Sequence, residues 1–418
     1  MLRAAVVALV LGGIGGLVPF SDRLGGSFEP SPQTAPYSIA MANGNGFTSA
    51  CQGTNPSWQG VTTSIGRTTT AYCNKKGARI DAVIVPGDYV LTDAGLPRIE
   101  PGSDGVLGYR SESVITGNTL TFPEQFVTGT TNWARSNSGG GTLPTITADQ
   151  ALAPDNQMTA DLLVWSSTIA NQDSLIYQTL ATADAGTFVL SVHAKSPPGA
   201  GTQTLTIGTN TTGGSCTITE AGYTRCYVSV TSGTVFYIGC SGYVTGACTG
   251  GSAYIWGAQR ENTSLSSYAP SGVTRGAELV SFAGPSVGPN FCIGATYSPM
   301  LTNLGATILR LGTTTSQLAS IGRSATTGAT LSIQSSTVTP SLGWSQSLSV
   351  PERIWLCDQG GTRTAGGRQG GSLVTLSAPT ASLADGKTTI TLGTATGTGP
   401  PGVVSQIQVT RSAALLKK

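Results

Sequence analysis

The acidic side chains and a single histidine are the residues of this chain that could carry out catalysis. Cleavage of a glycosidic bond needs two carboxylates held about 5–10 Å apart, but the 20 acidic residues are scattered and no two are paired by strand spacing. His193 is the only histidine, which excludes a site built from two imidazoles. A lone histidine in a strand is more often structural than catalytic. The sequence therefore predicts a protein that is not an enzyme and needs no cofactor.

Three aspartates in the middle of the chain are the candidates for a bound calcium ion. Asp155, Asp161 and Asp173 could help to hold a structural Ca²⁺ ion. Their spacing matches no calcium-loop formula, so we favour solvated turn residues over a metal site.

The eight cysteines are even in number, as in a disulfide framework. The predicted pairs are Cys51–Cys73, Cys216–Cys226, Cys240–Cys248 and Cys292–Cys357. The two middle pairs each flank a short turn at equal distances, which would bring their members opposite each other in a hairpin. Zinc is the alternative, but the usual C-x₂₋₄-C spacing does not occur. The pairing predicts an oxidising final environment.

Charged residues make up 10% of the chain, against roughly 25% in an average soluble domain. Thr, Ser and Gly take their place, while hydrophobic residues still make up 39%, enough to bury a core. The net charge is +2, and no basic run is longer than two residues. Because phosphate binding needs clustered positive charge, we do not expect nucleic acid as a partner.

Short apolar or β-branched runs, separated by Gly, Asn, Asp or Pro, follow one another from about residue 51 onward. This pattern is typical of all-β sandwiches. We predict strands at residues 82–85, 162–165, 187–194, 202–207, 227–231, 234–238, 253–256, 307–311, 330–333, 353–357, 388–392 and 403–409. The predicted fold class is all-β, with tandem β-sandwich modules.

The first twenty residues are apolar between Arg3 and Phe20 and contain a glycine cluster at 12–16. We interpret them as an anchor buried in a larger assembly, because glycine lets neighbouring chains approach closely. Residues 21–50 would form an extended arm. A secretory signal peptide or a membrane helix is the alternative interpretation of the apolar segment.

Three stretches resemble tail and fibre proteins of bacteriophages: 67–126, the strands of 160–260 together with Trp133, and 254–275. The last reads YIWGAQRE, then SYAP and VTR. It resembles the ending Y-x-W-G-A-Q-L-E … S-Y-x-P-T … T-R-A of a carbohydrate-binding-module-like jelly roll found in many phage structural proteins. The matching residues are Tyr254, Trp256, Gly257, Ala258, Gln259, Tyr268, Pro270 and Arg275.

The resemblance implies an anchor and arm at 1–50, a small β region at 51–118 and a jelly roll at 119–278. Residues 279–418 look faintly like a concanavalin-A-like or laminin-G-like sandwich. The implied function is that of a bacteriophage virion structural protein, such as a tail fibre, head fibre or capsid decoration. It would be anchored to other virion proteins through residues 1–50, lie on the particle exterior as a homotrimer, and attach to host-surface polysaccharide.

Within the jelly roll, Trp133 beside Asn132 could form a glycan-binding platform, because aromatic faces stack on sugar rings and amides bind hydroxyls. Alternatively, Trp133 closes the end of the sandwich. Tyr254 and Trp256 share one strand face and are predicted to pack between the two sheets. Gly257 would permit a bulge there.

Two other functions stay open. A polysaccharide depolymerase would carry its catalytic part in 279–418 and needs a close carboxylate pair in a groove. Its candidate acids are Glu278, Glu352, Asp358 and Asp385. A secreted bacterial adhesin would use residues 1–20 as its signal.

Overall fold

The computed structural model describes residues 39–40, 50–51, 62–65, 67, 69–77, 82–94, 96–112, 118–121, 123–126, 133–180, 187–262, 265–270, 278, 280–287, 290–300, 305–312, 317–359, 361–381, 387–392 and 402–410. The predicted anchor and arm at 1–50 lie almost entirely outside these residues. The same is true of Asn132, Arg275 and Asp385. Among the described residues, no helix is long and apolar enough to cross a membrane.

The described part of the chain is built from β-strands and one short 3-10 turn, which confirms the all-β fold class. The first six strands are β1 (Ile39–Ala40), β2 (Thr62–Ile65), β3 (Ala71–Asn74), β4 (Tyr89–Thr92), β5 (Ile99–Pro101) and β6 (Leu107–Ser111). The middle of the chain contains β7 (Ala134–Ser136), the 3-10 turn η1 (Ser138–Gly140), β8 (Thr145–Ala151), β9 (Ala160–Trp165), β10 (Asp173–Thr179), β11 (Phe188–Lys195), β12 (Gln203–Gly208), β13 (Gly213–Ile218), β14 (Thr224–Val230), β15 (Val235–Ser241) and β16 (Gly251–Asn262). The remainder contains β17 (Val280–Val287), β18 (Phe291–Pro299), β19 (Ala306–Gly312), β20 (Gln317–Arg323), β21 (Ala329–Ile333), β22 (Ser336–Val338), β23 (Glu352–Gln359), β24 (Thr362–Gln369), β25 (Ser372–Leu376), β26 (Lys387–Leu392) and β27 (Gly402–Thr410).

The first sandwich consists of two five-stranded antiparallel sheets. One, the cavity sheet, has the order β13-β12-β15-β10-β7, and the other, the covered sheet, has the order β14-β11-β16-β9-β8. Their facing sides bury one apolar core, with Ile176 and Phe236 from the cavity sheet and Leu190 and Ile255 from the covered sheet. Burial of this core is the main stabilising contribution to the sandwich.

The outer side of the covered sheet is packed under an aromatic cluster. Trp256 lies there with Tyr268, at a ring distance of 4.5 Å, and with Tyr72, Tyr89 and His193. Trp256 is thus fully buried in a core, as predicted, but this core lies on the outer side of the covered sheet rather than between the two sheets of the first sandwich. Strand alternation sends Ile255 into the sandwich core and Trp256 to the opposite face, where β3 and β4 cover it.

Gly257 marks the β-bulge that the sequence predicts at the end of this motif. It has a φ of 63°, which favours glycine. The register between β11 and β16 shifts between Ser191 and His193, where the strand passes Gly257. Gln259, beyond the bulge, accepts a hydrogen bond from the Ala269 backbone N–H at 3.0 Å and so ties the strand to the segment that carries Tyr268.

The second sandwich pairs strands from both ends of the chain. Its larger sheet has the order β25-β24-β23-β18-β27-β6-β5, with β1 also paired to β27. The smaller has the order β2-β17-β26-β19-β20-β21-β22. The core between them draws on both sheets, for example Ile293 and Leu356 from the first and Leu309 and Ile321 from the second.

The predicted separate small β region at 51–118 needs correction, because most of its strands belong to the second sandwich. β2 pairs with β17, and β6 pairs with β27 through Arg110 and Val403. Only β3 and β4 form a small sheet of their own, which lies over the first sandwich. The second sandwich thus extends beyond the predicted 279–418, and the first is inserted into it.

A buried ionic network joins the two sandwiches. Glu112 accepts hydrogen bonds from Arg98, from Arg110 at 2.5 Å, and from the Ser267 backbone N–H at 2.7 Å. Arg98 also pairs with Glu278 at 2.5 Å. These charges are shielded from water, so each depends on its partners to offset the cost of desolvation.

All four predicted disulfides are confirmed. Their cysteine pairs are Cys51–Cys73, Cys216–Cys226, Cys240–Cys248 and Cys292–Cys357. Cys292 and Cys357 are directly opposite on β18 and β23. The Cys216–Cys226 bond crosses from β13 of the cavity sheet to β14 of the covered sheet, so it links the two layers of the first sandwich.

Candidate functional site

The cavity sheet presents one side to the sandwich core and leaves the other side open. Along β10, Ile176 packs in the core, whereas Asp173, Leu175 and Tyr177 lie on the open side because successive side chains alternate. Tyr177 is directly opposite Tyr237 on β15, so the two tyrosines share this face.

A cavity of about 360 Å³ lies on this open side, which is within the range of about 300–1,000 Å³ that is typical of small-molecule sites. Its lining combines aromatic, apolar and polar side chains. The lining residues are Ser136, Ser138, Asp173, Leu175, Tyr177, Asn210, Val235, Tyr237, Ser241, Tyr243 and Val244. The lining therefore offers ring faces and hydrogen-bonding groups together.

Tyr237 forms the most deeply buried part of the aromatic lining. It is 2% exposed, and its hydroxyl oxygen lies over Gly208 and Gly213, where a Cβ at Gly208 would be only 2.9 Å away. Burial, followed by the charge of Asp173, raises the pKa of Tyr237, although the nearby Ser241 hydroxyl opposes the rise. The phenol therefore stays neutral at physiological pH.

Asp173 supplies the carboxylate of the cavity. Its Oδ1 accepts a hydrogen bond from the Ser241 hydroxyl at 2.9 Å, across the β10–β15 pair. Burial raises the pKa of Asp173, and the hydrogen bond from Ser241 partly opposes the rise. The other carboxylate oxygen, Oδ2, accepts no hydrogen bond from the described residues. It can therefore accept one from a ligand hydroxyl.

Tyr243 stands at the rim on the loop that follows β15. It is 51% exposed, and its hydroxyl lies 3.3 Å from the Ser138 hydroxyl on η1. The Cys240–Cys248 disulfide closes this loop at its base. A covalent closure limits the positions that Tyr243 can take and so favours one arrangement of the rim.

Asn210 lies at the other side of the rim. Its side-chain oxygen accepts a hydrogen bond from the Thr234 backbone N–H at 2.9 Å, which fixes the orientation of the amide. This bond uses only the oxygen, so the NH₂ group remains available as a donor.

This lining is suited to binding a sugar rather than to cleaving one by itself. Tyrosine rings stack on the apolar faces of a pyranose, while Asp173, Asn210 and the serines match its hydroxyls. Asp173 is the single carboxylate of the lining, and cleavage by two carboxylates needs a second. None of the lining residues is a cation.

The sequence singled out Trp133 rather than these residues. Trp133 is 2% exposed and packs against Phe126, with ring centroids 4.9 Å apart, and against Phe236. Its ring is thus part of the sandwich core, in line with the alternative that it closes the sandwich end, and it offers no face to a glycan. Its proposed companion Asn132 lies outside the described residues.

The carboxylates considered for a depolymerase are engaged elsewhere. Glu278 pairs with Arg67 at 3.0 Å, and Glu352 pairs with Arg323 at 2.9 Å. Asp358 is on the same strand as Glu352, six residues further on, which corresponds to about 20 Å at the rise of an extended strand. Glu352 and Asp358 are therefore not a close catalytic pair.

The three aspartates considered for calcium each bind protein groups. Asp161 accepts hydrogen bonds from the backbone N–H groups of Phe126 at 2.7 Å and Asp149 at 2.9 Å, and Asp155 accepts one from the backbone of Gln157 at 3.1 Å. Across the described ranges, no group of three or more potential metal ligands comes together. Of the three aspartates, only Asp173 lines the cavity.

The sequence matches no family model and no curated protein. Among solved structures, the chain is similar to the N-terminal CBM22-1–CBM22-2 tandem domain of Xyn10C from Paenibacillus barcinonensis. The identity is 11%, over 72% of this chain and 99% of that chain, with a TM-score of 0.24. A similarity this distant carries no argument about function, which must be drawn from the geometry of the site.

Proposed function

We propose that this chain is a structural, glycan-binding protein that holds a neutral sugar unit in the cavity on the cavity sheet. The observation that carries the proposal is the open sheet face on which Tyr177, Tyr237 and Tyr243 surround one carboxylate, with no cation in the lining. Aromatic faces and a few well-placed acceptors are what a neutral pyranose needs. A single site of this size binds weakly, so many copies on one particle would supply the avidity.

The wider setting that we propose is the exterior of a bacteriophage particle. The WGAQ…SYAP…VTR ending, which resembles phage structural proteins, and the low-charge, Thr-, Ser- and Gly-rich composition support this setting. Residues 1–50 would attach the chain to other virion proteins, and the chain would assemble as a homotrimer. The sandwiches would then contact host-surface polysaccharide.

The cavity is tested by binding of neutral oligosaccharides to the full chain, first on a glycan array and then by calorimetry. Tyr243→Ala and Tyr177→Ala should each weaken binding by about five- to thirtyfold, because one stacked ring contributes of the order of 1–2 kcal/mol. Tyr227→Ala is the matched control, since Tyr227 is 46% exposed but lies on β14 of the covered sheet. Equal losses in all three variants, or no neutral ligand on the array, would contradict the proposal.

The proposed location on the particle exterior is tested separately by immunogold labelling of purified particles. The antibody is raised against residues 279–418. Label at a fibre tip or on the capsid surface supports the virion role and shows where the host is contacted. Particles without label, with the protein in a membrane or free fraction, would favour a secreted adhesin instead.

A further inference from the structure

The outer face of the larger sheet in the second sandwich carries a half-buried tryptophan between two glycines. Trp355 on β23 is opposite Gly294 on β18 and Gly366 on β24. A Cβ atom at Gly366 would overlap the six-membered ring of Trp355, so this ring lies directly over the Gly366 backbone. The two glycines therefore place no side chain directly opposite the indole on either neighbouring strand.

Two arginines lie next to this indole on the same face. Arg353 precedes Trp355 by two residues and is directly opposite Arg368 on β24. Like charges placed directly opposite on neighbouring strands repel each other. Burial, followed by the charge of Arg368, lowers the pKa of Arg353, as expected for two guanidinium groups without a nearby anion.

The described residues around these arginines supply little to satisfy them. Arg353 donates from Nη2 to the Gln408 side chain, and its buried Nε has no partner in the described part of the chain. Arg368 donates from Nε to the Gly370 carbonyl at 3.3 Å. Both groups thus retain donors that an external acceptor could use.

The acidic residues of β23 do not reach this face. Glu352 and Asp358 alternate with Arg353 and Trp355 and therefore lie on the opposite side of the strand. There Glu352 binds Arg323 at 2.9 Å, and Asp358 pairs with Arg363 at 3.6 Å. The cations around Trp355 thus have no carboxylate beside them on β23.

The surface around the indole is open. On β25, Leu373, opposite Arg368, is 67% exposed, and Thr375, opposite Gly366, is also exposed. On the other side of Trp355, the Cys292–Cys357 disulfide packs against the indole and links β18 to β23. The platform therefore rests on a cross-linked part of the sheet, which suits a binding site that must keep its shape.

We propose that Trp355, Arg353 and Arg368 form a second glycan-binding site, which takes a sugar unit that carries a carboxylate. The indole stacks on the apolar face of the ring, and the two planar guanidinium groups match the two oxygens of a carboxylate. This site goes beyond the neutral-sugar cavity and does not depend on it. The cavity lining contains one carboxylate and no cation, so it favours neutral sugars, whereas this site favours sugars that carry a negative charge.

The test uses the full chain with trigalacturonic acid and, as the matched neutral ligand, its methyl ester. We expect the acid to bind at least about tenfold more tightly than the ester, because only the acid makes charge-assisted hydrogen bonds. Arg368→Gln should remove this difference, and Trp355→Ala should weaken binding of the acid. Affinity for the acid should fall as salt is raised, since the arginines are partly exposed.

Two controls separate this site from the cavity and from general charge. Tyr243→Ala, at the cavity rim, and Arg135→Gln, an exposed arginine of β7, should leave binding of the acid unchanged. Thermal unfolding of Arg368→Gln verifies that the variant is folded. Equal affinity for acid and ester, unchanged affinity in Arg368→Gln, loss of acid binding in Tyr243→Ala, or no saturable binding of the acid would each overturn the proposal.

Discussion

The hydroxyl group of Tyr237 occupies the space that a side chain at Gly213 would fill. Gly213→Ala should therefore push the phenol into the cavity and weaken binding of neutral oligosaccharides by about tenfold, with the fold retained. Calorimetric titration measures this effect. Gly371→Ala is the control, because a Cβ there would meet no atom within 4 Å. Unchanged affinity in Gly213→Ala would mean that Tyr237 does not shape the site.

The loop that carries Tyr243 should lose its arrangement when the disulfide at its base is removed. Replacing Cys240 and Cys248 with alanine frees a loop of 8-residue separation, and loop-closure entropy predicts a loss of about 2–3 kcal/mol in the free energy of unfolding. Glycan affinity should fall as well, because Tyr243 must then be ordered on binding. Replacing Cys292 and Cys357 instead should lower stability but leave affinity for a neutral sugar intact. If both pairs affect affinity equally, the loop has no special role.

Removing Glu112 from the junction between the sandwiches should be strongly destabilising. Glu112→Gln leaves Arg98 and Arg110 buried with fewer anionic partners, and breaking such a pair costs about 3–5 kcal/mol. Urea unfolding measures this loss. Lys76→Gln is the control, because the Lys76–Asp88 pair spans 3.9 Å and the lysine side chain is 48% exposed, so that loss should stay below about 1 kcal/mol. A similar loss in the two variants would show that the junction is not held by these charges.

Asp173 is expected to lower the stability of the folded chain at neutral pH while contributing to sugar binding. Because burial raises its pKa in the folded chain, the charged carboxylate costs stability at neutral pH, and the folded state takes up the proton first as pH falls. Asp173→Asn should therefore be more stable than the wild type at pH 7, and the difference should shrink as pH approaches the unfolded value of about 3.9. Its affinity for a neutral sugar should be lower at pH 7. Urea midpoints across this range check the sign, and a gap that widens on acidification would contradict it.

His193 offers a direct reading of burial, since it is the only histidine of the chain. Burial, followed by the charge of Arg225, lowers the pKa of His193 well below 6.5. Its ring resonances should not titrate in folded protein between about pH 8 and 5.5, whereas in urea they should titrate near 6.5. Below about pH 6.5 the unfolded chain takes up a proton that the folded chain does not. The free energy of unfolding should therefore decrease as the pH is lowered below this value. A folded-state midpoint near 6.5 would mean that the ring is solvated.

Local sequence patterns predicted much of the fold but little of the site. The runs at 162–165, 187–194 and 253–256 are apolar and β-branched, which predicts β9, β11 and β16. Equal spacing about a turn predicted Cys216–Cys226 and Cys240–Cys248, although Cys216 and Cys226 lie on strands of different sheets and not in a hairpin. β10 was missed because Asp173, Ser174 and Gln178 interrupt its apolar run, so neither alternation nor a continuous apolar stretch stands out.

The cavity could not be predicted from the sequence, because its lining residues come together only through the pairing of strands that are distant in sequence. Tyr177 and Tyr237 are 60 residues apart in sequence and meet only through the β10–β15 pairing. The sequence predicted a glycan-binding role for Trp133, because sequence alone does not distinguish an exposed tryptophan from a buried one. Pairing of β6 with β27 likewise joins the two ends of the described chain, and no local signal predicts such a contact.

The insertion of the first sandwich between β6 and β17 has a consequence for biosynthesis. β6 cannot pair with β27 until Val403, the partner of Arg110, has been synthesised. This takes about 15 to 60 s after Arg110 at ordinary rates of translation. The first sandwich is complete as soon as β16 has left the ribosome, so it can fold while β2 still lacks its partner β17 and the β5–β6 pair still lacks β27. During that interval the nascent chain contains a folded first sandwich preceded by strands with exposed edges. Such edges can pair with strands of other chains. High yields of this protein are thus expected to depend on chaperones that shield its early strands.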